Sequence, residues 1–382
     1  MISPDNYKKP LVSFILIGYN QERYVREAVN GVLSQTYSPL EIVLSDDCSK
    51  DNTYRVMSEM AADYKGAHKI ILNRNETNLH VGRHVNRAME LATGEFIVMG
   101  ACDDISLPRR VQTLYEKWRE TDGRAFCIMS NAAAIDQNGK VIASHFFHAE
   151  NDTNPGRIVL RRYDDRVRVS LLKTGYREVW YASGVLGATN AIQRKIYDEF
   201  GPLWGTLFGE DEALCYRANI LGGVAYVDEP LVLYRRHTEH LVPDDVPPEK
   251  KAHYDYVLNQ HIVRLDENNL RDTKTAFKKR FLSRSQARYF ETRFRWELQR
   301  GQINILSHDR RWFSLAFVIV KYIAVGIRRK KMVGWLLWRC DPSLFAWVRR
   351  WTKHAKLEAT PPPPGGCAPD PYLAFFGRQG QL

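Results

Sequence analysis

Residues 12–45 have the sequence VSFILIGYNQERYVREAVNGVLSQTYSPLEIVLS, and this stretch decides the fold class. It begins with an apolar run, Val12–Ile17, which is typical of a buried strand. Helical spacing then places five apolar side chains on one face, and Asn20 is of a type that can cap such a helix. Those side chains are Tyr24, Val25, Ala28, Val32 and Leu33. Because a second apolar run, Glu41–Ser45, follows, the stretch predicts a strand, a helix and a parallel strand.

The same alternation continues along the first 240 residues. A helix is predicted at Val85–Leu91, and a turn at Asp136–Gly139 is expected to bring the segment around Val141 back against the preceding strand. The further predicted strands are Lys69–Leu72, Glu95–Gly100, Phe126–Ser130 and Pro230–Leu233. This pattern predicts an α/β fold with a mainly parallel sheet flanked by helices.

Length and local composition indicate the domain organisation. A chain of 382 residues can form two domains, or one large domain with an appendage. The acidic, Pro-rich segment Val242–Glu249 indicates a boundary. We expect an α/β domain over residues 1–240, a helical basic region over 241–360 and a Pro/Gly-rich tail over 361–382 that is disordered.

Cysteine usage and the N-terminal residues indicate a cytoplasmic protein. None of the cysteines has a paired spacing such as CxxC, so free thiols in a reducing compartment are expected. The six cysteines are Cys48, Cys102, Cys127, Cys215, Cys340 and Cys367. The first residues, MISPDNYKKP, contain no apolar run typical of a secretory signal.

Positive charge is concentrated in the second half of the chain. The net charge is +11, and Arg271–Arg350 alone contains 20 Lys and Arg against 5 Asp and Glu. Such asymmetry predicts an anionic surface as a partner, either a membrane or a nucleic acid. No recognised nucleic-acid-binding motif accompanies the charge.

The longest apolar stretch, Trp312–Ile327, follows within this basic region. Its 16 residues are fewer than the about 20 that a membrane-spanning helix needs. Basic residues at Arg328–Lys331 and tryptophans at Trp335–Trp338 favour attachment to the membrane surface. The alternative is a helical subdomain whose apolar side packs on the α/β domain.

Two pairs of aspartates follow predicted strands. Because ligands of open α/β sheets bind at the carboxyl ends of the strands, Asp46 and Asp47 could accept hydrogen bonds from a base or a ribose, or else stabilise a turn. Asp103 and Asp104 would repel each other unless a cation lies beside them, which indicates Mg²⁺ or Mn²⁺. The alternative for this pair is a cap on the next helix.

Two later segments could complete a reactive site. Glu210, Asp211 and Glu212 begin a predicted helix, where a carboxylate can act as a general base or simply interact with the helix dipole. His237 follows a predicted strand and is a candidate third metal ligand, although most single histidines are not ligands.

In order and spacing, these segments resemble glycosyltransferase family 2, the inverting transferases of GT-A fold. The resemblance extends from about residue 10 to residue 240. The matching segments are VSFILIGYN, LEIVLSDDCSKDNT, NLHVGRHVNRAMELATGEFIVMGACDD, SGVLGATNAIQRKIYDEFGPL, GEDEALCYRANILGG and PLVLYRRH. The sequence departs from the family pattern at Cys48, where glycine is commoner, and after Asp104, where a third aspartate is missing.

The resemblance implies a role for each candidate residue. Asp211 is the implied catalytic base. The implied donor-binding residues are Tyr19, Asp47, Arg83 (or His80) and Asp103, and the implied metal ligands are Asp104 and His237. The implied activity is metal-dependent transfer of a sugar from a UDP or dTDP donor to a glycan or lipid-linked acceptor.

The family also implies a setting for this reaction. We expect a place in the synthesis of O-antigen (lipopolysaccharide), capsule or exopolysaccharide, on the inner face of the cell membrane. The alternatives are a non-catalytic nucleotide-sugar-binding module, a nucleic-acid-binding protein that uses the basic region, and a nucleotidyltransferase. The last of these lacks the Gly-rich phosphate loop that such chemistry needs.

Overall fold

A computed structural model describes residues 9–146, 186–205, 207, 209–236 and 248–308 of the chain. The chain divides into two compact units, Met1–Gly301 and Gln302–Leu382, and the sheet lies in the first. The expected tail and the apolar stretch at 312–327 lie outside the described residues. No helix among the residues described is both long and apolar enough to cross a membrane.

Parallel strands form the first half of the sheet, in the order β3-β2-β1-β4. The strands are β1 (Val12–Gly18), β2 (Leu40–Asp46), β3 (Lys69–Arg74) and β4 (Phe96–Ala101). The helices that connect them are α1 (Val25–Leu33), α2 (Thr53–Asp63) and α3 (Val81–Leu91). Because β1 lies between β2 and β4, the loops that follow these three strands emerge side by side.

The second half of the sheet is mixed and continues in the order β8-β6-β9-β5 from β4. The strands are β5 (Ile105–Ser106), β6 (Cys127–Ile135), β7 (Val141–Ala143), β8 (Asn190–Gln193) and β9 (Val224–Arg235). The helices are α4 (Arg110–Glu120), α5 (Lys195–Phe200) and α6 (Glu210–Leu221). β8 runs antiparallel to β4 and β6, whereas β6 and β9 are parallel.

Side chains of β1 alternate between the two faces of the sheet, as the period of a strand requires. Phe14 and Leu16 pack with α1, α2 and α4 on one face. Ile15 packs with α3 and α6 on the other. The sheet is therefore buried on both faces, which explains why β1 and β2 are almost wholly apolar.

Two long helices follow the sheet, α7 (Pro248–Lys278) and α8 (Arg284–His308). A buried ion pair joins α6 to α7, with Arg217 Nε 2.7 Å from Asp272 Oδ2. An apolar cluster on α5, α6, α7 and α8 continues this contact. Its members are Phe200, Tyr216, Ala276, Leu282, Ala287, Phe290 and Phe294. The basic sequence up to Gly301 thus belongs to the same compact unit as the sheet.

The predicted fold class is confirmed, including the predicted strands and the pairing of the segment at Val141 with β6. The expected free thiols are found at the four cysteines described, Cys48, Cys102, Cys127 and Cys215. The interpretation of Asn20 as a helix cap is wrong. Asn20 has a positive φ of 53°, and its Oδ1 accepts a hydrogen bond from Lys50 N. The cap of α1 is Tyr24, four residues later.

Candidate functional site

The carboxyl ends of β1, β2 and β4 form one continuous edge. Asp47 N donates to Gly18 O across 2.9 Å, and Cys102 N donates to Ile17 O across 3.0 Å. Tyr19, Asp47 and Asp103 follow these strand ends directly, so the structure brings three of the predicted residues to the same edge. The side chain of Tyr19 is exposed there.

Asp47 is buried and holds the loop that leads into α3. Its Oδ1 accepts hydrogen bonds from Asn75 Nδ2 and from Leu79 N, each across 2.8 Å. Among the described residues, Oδ2 of Asp47 accepts no hydrogen bond. The carboxylate is thus fixed through one oxygen, and the other can accept a hydrogen bond from a ligand.

A chain of buried polar side chains continues behind Asp47. Asn73 Nδ2 donates to Asn75 Oδ1 across 3.0 Å and to Ser45 Oγ across 2.9 Å, and Ser45 Oγ lies 2.7 Å from His84 Nε2. Burial lowers the pKa of His84, and the charges of Asp47 and Asp46 oppose this. Sequence reasoning missed Asn75 and His84. For His84, the available signal was a polar residue in a position that the period of α3 assigns to the interior.

Asp103 and Asp104 lie where the end of β9 crosses this edge. Arg235 N donates to Asp104 Oδ1 across 2.8 Å, and Arg235 Nε donates to Asp103 O across 2.9 Å. Burial raises the pKa of Asp104 well above its ordinary value, and the charge of Asp103 adds to this, against the hydrogen bond from Arg235. Asp104 does not cap the next helix, because α4 begins at Arg110 with Arg109 as its cap.

Arg110 is a buried cation behind Asp104. Its guanidinium donates to Met99 O across 2.6 Å and to Ser106 Oγ across 2.8 Å. Burial lowers the pKa of Arg110 to about 9, and Asp104 opposes this. Sequence reasoning missed Arg110 because an arginine at the start of a helix is usually a solvated side chain.

The donor set at Asp103 and Asp104 fits a hard divalent cation shared with phosphate oxygens. The charge of Asp103 contributes to the raised pKa of the adjacent Asp104, and a bound cation would offset the repulsion between the two carboxylates. Within the described residues, no three His, Cys, Asp or Glu side chains converge to hold a metal. Mg²⁺ is typically held by one or two carboxylates and completed by phosphates, so two carboxylates suffice. His237, the predicted third ligand, lies outside the described residues.

Three acidic residues begin α6, directly after Gly209 in its left-handed conformation. Asp211 Oδ1 accepts a hydrogen bond from Glu212 N across 2.8 Å. Gly187 approaches so closely that a Cβ there would lie 3.4 Å from Asp211 Oδ2 and from Glu210 Oε1. Burial raises the pKa of Asp211 to about 6, against hydrogen bonds from backbone amides. Burial raises the pKa of Glu210 and of Glu212 to about 8 each.

The Tyr234 hydroxyl is affected by the charges of both the Asp103–Asp104 pair and Asp211. Burial raises the pKa of its hydroxyl, and the charges of Asp104, Asp103 and Asp211 contribute in the same direction. The ring packs edge-on against Phe146, with 5.1 Å between centroids. The charges of the carboxylates that follow β4 and of Asp211 on α6 therefore act on the same hydroxyl.

Arg83 makes none of the hydrogen bonds described above. It is an exposed residue in the first turn of α3 and makes no hydrogen bond or ion pair with a described residue. His80, the alternative to Arg83, precedes the same helix with a positive φ of 63°. The structure thus brings together Tyr19, Asp47 and the Asp103–Asp104 pair at one sheet edge. The charge of Asp211 acts on the same Tyr234 hydroxyl as the charges of that pair.

Comparison with known proteins identifies a family and relatives that this chain resembles. Residues 13–196 match the family model described as Glycosyl transferase family 2. The match identifies a glycosyltransferase family 2 domain in residues 13–196. The resemblance inferred from the sequence is thereby confirmed, and the chain is an enzyme of the glycosyltransferase class.

Individual relatives of this glycosyltransferase cover parts of it. It is 39% identical over 103 residues to putative glycosyltransferase EpsE of Bacillus subtilis, covering 27% of this chain and 36% of that protein. It is 26% identical over 243 residues to an uncharacterized glycosyltransferase of Nostoc sp., alr2836, covering 63% and 70%. S. aureus TarS, solved with UDP-GlcNAc, aligns over 82% of this chain and 88% of that chain with 17% identity and a TM-score of 0.46.

Proposed function

We propose that this glycosyltransferase moves a sugar, with inversion, from a UDP or dTDP sugar to a hydroxyl of a glycan or lipid-linked acceptor. The observation that carries the proposal is that the charges of Asp211 and of the Asp103–Asp104 pair all act on the Tyr234 hydroxyl and raise its pKa. In direct displacement, a base must lie on one side of the anomeric carbon and the leaving diphosphate on the other. Acidic groups from two separate parts of the chain that both act on the Tyr234 hydroxyl support that division of roles.

The nucleoside binds at the ends of β1 and β2 in this proposal. Asp47 accepts a hydrogen bond from the base through Oδ2, because Asn75 and Leu79 already hold its Oδ1. Tyr19 is exposed beside it and flanks the base. Arg83 on α3 contacts the base or diphosphate, and Asp103 contacts the ribose or sugar.

The diphosphate lies over Asp104 in this proposal. A Mg²⁺ or Mn²⁺ ion bound there, with His237 as a further ligand, would neutralise the charge that develops on the departing phosphates. Arg235 fixes the orientation of Asp104 through its backbone amide, and the buried charge of Arg110 opposes protonation of that carboxylate. The carboxylate therefore keeps the orientation that a metal ligand needs, and a bound cation would favour its ionised form.

Asp211 acts as the general base. A carboxyl group with a pKa of about 6 is mostly ionised at neutral pH and is a stronger base than an exposed aspartate. It takes the proton of the acceptor hydroxyl while that oxygen forms a bond to the anomeric carbon. The bond from that carbon to the diphosphate breaks on the opposite side, so the configuration inverts.

The proposed acceptor belongs to a cell-surface polysaccharide such as O-antigen, capsule or exopolysaccharide. A lipid-linked acceptor requires the enzyme to work at the inner face of the cell membrane as a peripheral protein. The concentration of positive charge in Arg271–Arg350 supports this setting. In this proposal, residues 1–240 form the catalytic domain, and residues 241–360 form the basic region that contacts the membrane.

Thermal unfolding with nucleotides tests the donor site. The folded protein is heated with UDP, dTDP, GDP or CMP, each with and without Mn²⁺, for wild type and Asp104→Asn. Ligands that bind only the native state raise its apparent stability. We expect a Mn²⁺-dependent increase with UDP or dTDP that Asp104→Asn abolishes. No increase with any nucleotide would exclude the donor site and favour a role other than sugar transfer.

A further inference from the structure

The turn between α7 and α8 carries a dense positive charge. Residues 274–289 contain no Asp or Glu, and six exposed cations lie among them. These are Lys274, Lys278, Lys279, Arg280, Arg284 and Arg288. Among these six cations, Lys279 forms an ion pair with Glu199, with Nζ 2.7 Å from Oε2. We call residues 274–289 the basic turn.

Aromatic side chains are exposed within the basic turn. Phe277, Phe281 and Tyr289 are 45%, 36% and 46% exposed, whereas Leu282 and Ala287 of the same segment are buried in the cluster with Phe200. The rings of Phe281 and Tyr289 also pack on the cluster, with centroids 6.3 Å from Phe200 and 5.5 Å from Phe290, and expose their remaining surface. Exposed apolar groups ringed by polar ones mark interaction surfaces.

The basic turn has a defined conformation. Ser283 N donates to Gln286 Oε1 across 2.8 Å, and Gln286 N donates to Ser283 Oγ across 3.3 Å, which is the reciprocal pattern of a capping box. Phe281 N donates to Ala276 O across 2.9 Å at the end of α7. The cations and rings are thus presented by an ordered connection.

We propose that the basic turn docks on an anionic lipid surface. Interfacial protein segments combine Lys and Arg with Phe, Tyr or Trp, and the charge of the turn is complementary to anionic headgroups. A second copy of the chain is disfavoured as the occupant, because six cations would face six cations across a symmetric interface. The turn lies in the described unit and is distinct from the stretch at 312–327.

Docking at this turn would hold the catalytic base near the membrane. Leu265 on α7 reaches to 3.9 Å from the position of a Cβ at Gly209, the residue that caps α6 before Asp211. Phe277 follows Leu265 by twelve residues, which is about 18 Å along a helix. The benefit for a lipid-linked acceptor rests on the proposed function, whereas the docking itself does not.

Sedimentation of the full chain with vesicles tests the proposal. Phosphatidylcholine vesicles with and without phosphatidylglycerol are mixed with wild type, with Lys278→Glu/Arg280→Glu/Arg284→Glu and with Phe277→Ser/Phe281→Ser. Each lost cation should weaken binding about fivefold, so the triple charge variant should lose at least about hundredfold. The double Phe variant should lose about tenfold. Binding should require the anionic lipid and fall with salt.

Matched variants and a second readout separate docking from catalysis. Lys65→Glu/Arg87→Glu/Lys140→Glu changes the same charge at exposed sites elsewhere, and Val141→Ser/Ile142→Ser removes exposed apolar groups elsewhere, so both should bind vesicles as wild type does. Nucleotide-induced stabilisation should be the same in all these proteins. Failure of that stabilisation in wild type would overturn the proposed function and leave the docking result standing.

Three outcomes would overturn the docking proposal. The first is vesicle binding by the triple charge variant that equals that of wild type. The second is conversion of a dimer to a monomer by the Phe variant, with vesicle binding unchanged. The third is loss of RNA affinity in the triple charge variant without loss of vesicle affinity, which would identify a nucleic acid as the occupant.

Discussion

The backbone amide of Arg235 donates to Oδ1 of Asp104 across 2.8 Å, although the two residues are 131 positions apart. The Arg235 side chain continues the contact, with Nε 2.9 Å from Asp103 O and a terminal nitrogen 2.5 Å from Glu27 Oε2. Its guanidinium also lies 4.6 Å from the centroid of the Tyr24 ring. One residue at the end of β9 thus ties the proposed metal ligands to α1.

This contact makes Asp104→Asn and Asp104→Ala different tests. Asparagine keeps the Oδ1 that accepts from Arg235 N and removes the charge, whereas alanine removes both. We expect Asp104→Asn to fold with a thermal midpoint close to that of wild type and to lose Mn²⁺-dependent nucleotide binding. Asp104→Ala should in addition lose about 1–3 kcal/mol of unfolding free energy, because the buried amide is left without its acceptor. Urea unfolding and the nucleotide panel measure the two effects.

Asp122→Asn is the matched control, because Asp122 is exposed beyond α4 and asparagine tolerates its positive φ of 52°. It should leave both stability and nucleotide binding unchanged. If Asp104→Asn retained Mn²⁺-dependent nucleotide binding, the assignment of Asp104 as a metal ligand would be wrong.

The pKa of Asp211 predicts a pH dependence of transfer. Burial raises that pKa to about 6, and only the ionised carboxylate can accept the acceptor's proton. We therefore expect kcat/KM to be constant above about pH 7 and to fall tenfold per pH unit below about pH 6. Asp211→Asn should lower kcat by about 10²–10⁴-fold at pH 7.5 and remove this acidic limb.

Glu212→Gln is the control for Asp211. Glu212 lies next to Asp211 at the start of α6 and also has a carboxyl side chain. We expect the glutamine variant to keep the acidic limb and most of the rate. If Glu212→Gln lost the fall in kcat/KM at acidic pH and Asp211→Asn kept it, Asp211 would not be the base.

Asn75 is expected to govern donor affinity through Asp47. Asn75→Ala removes the hydrogen bond across 2.8 Å that holds Asp47 Oδ1. Donor KM should rise about five- to tenfold with little change in kcat, because the carboxylate is mispositioned and the base Asp211 is not. Asn75→Asp should have a larger effect, because it places a second carboxylate beside Asp47. Steady-state kinetics over a range of donor concentrations measure KM and kcat separately.

Asn86→Ala is a suitable comparison for Asn75→Ala. The Asn86 side chain also holds internal backbone, with hydrogen bonds of 2.8 Å to both N and O of Leu203, but it contacts no carboxylate of the site. It should lower stability without raising donor KM. Equal effects of the two variants on donor KM would indicate that Asn75 acts only through general stability.

The parts of the site that follow strand ends were predictable from sequence. Asp47 and Asp103 follow apolar runs that are buried on both faces, so their place at the sheet edge is determined by local sequence. Arg235 and Asn75 were not predictable in the same way, because their roles depend on contacts with residues far away in the chain. An arginine or asparagine at the end of a strand usually lies in solvent, and no local pattern distinguishes these two.

The order of the strands shows the same limit. The four parallel strands at the start of the chain were predicted, because each is a long apolar run followed by a helix. β8 has only four residues, Asn190–Gln193, and lies between β4 and β6 in the antiparallel direction. Such a short segment carries no periodicity of its own, so its pairing is determined by the neighbouring strands.

The ion pair between Arg217 and Asp272 predicts how α7 is coupled to the sheet domain. Both side chains are buried, and Arg217 Nε lies 2.7 Å from Asp272 Oδ2. Arg217 Nη1 also donates to Gly201 O across 2.7 Å. Removing one partner of a buried pair leaves an uncompensated charge, which typically costs about 3–5 kcal/mol. We expect Asp272→Asn to lose unfolding free energy in that range, in a single urea transition. Replacing both residues, Arg217→Met with Asp272→Leu, should cost less than Asp272→Asn alone, because no buried charge is left.

The pair of Lys279 and Glu199 serves as the control, because it joins α5 to the residue after α7 across 2.7 Å but is partly exposed. Glu199→Gln should cost less than about 1 kcal/mol, as is usual for ion pairs near solvent. Circular dichroism and tryptophan fluorescence should follow one transition in all these variants, because α7 packs on α6 within one compact unit. A separate, earlier transition in Asp272→Asn, with the remaining transition unchanged, would show instead that α7 unfolds independently of the sheet.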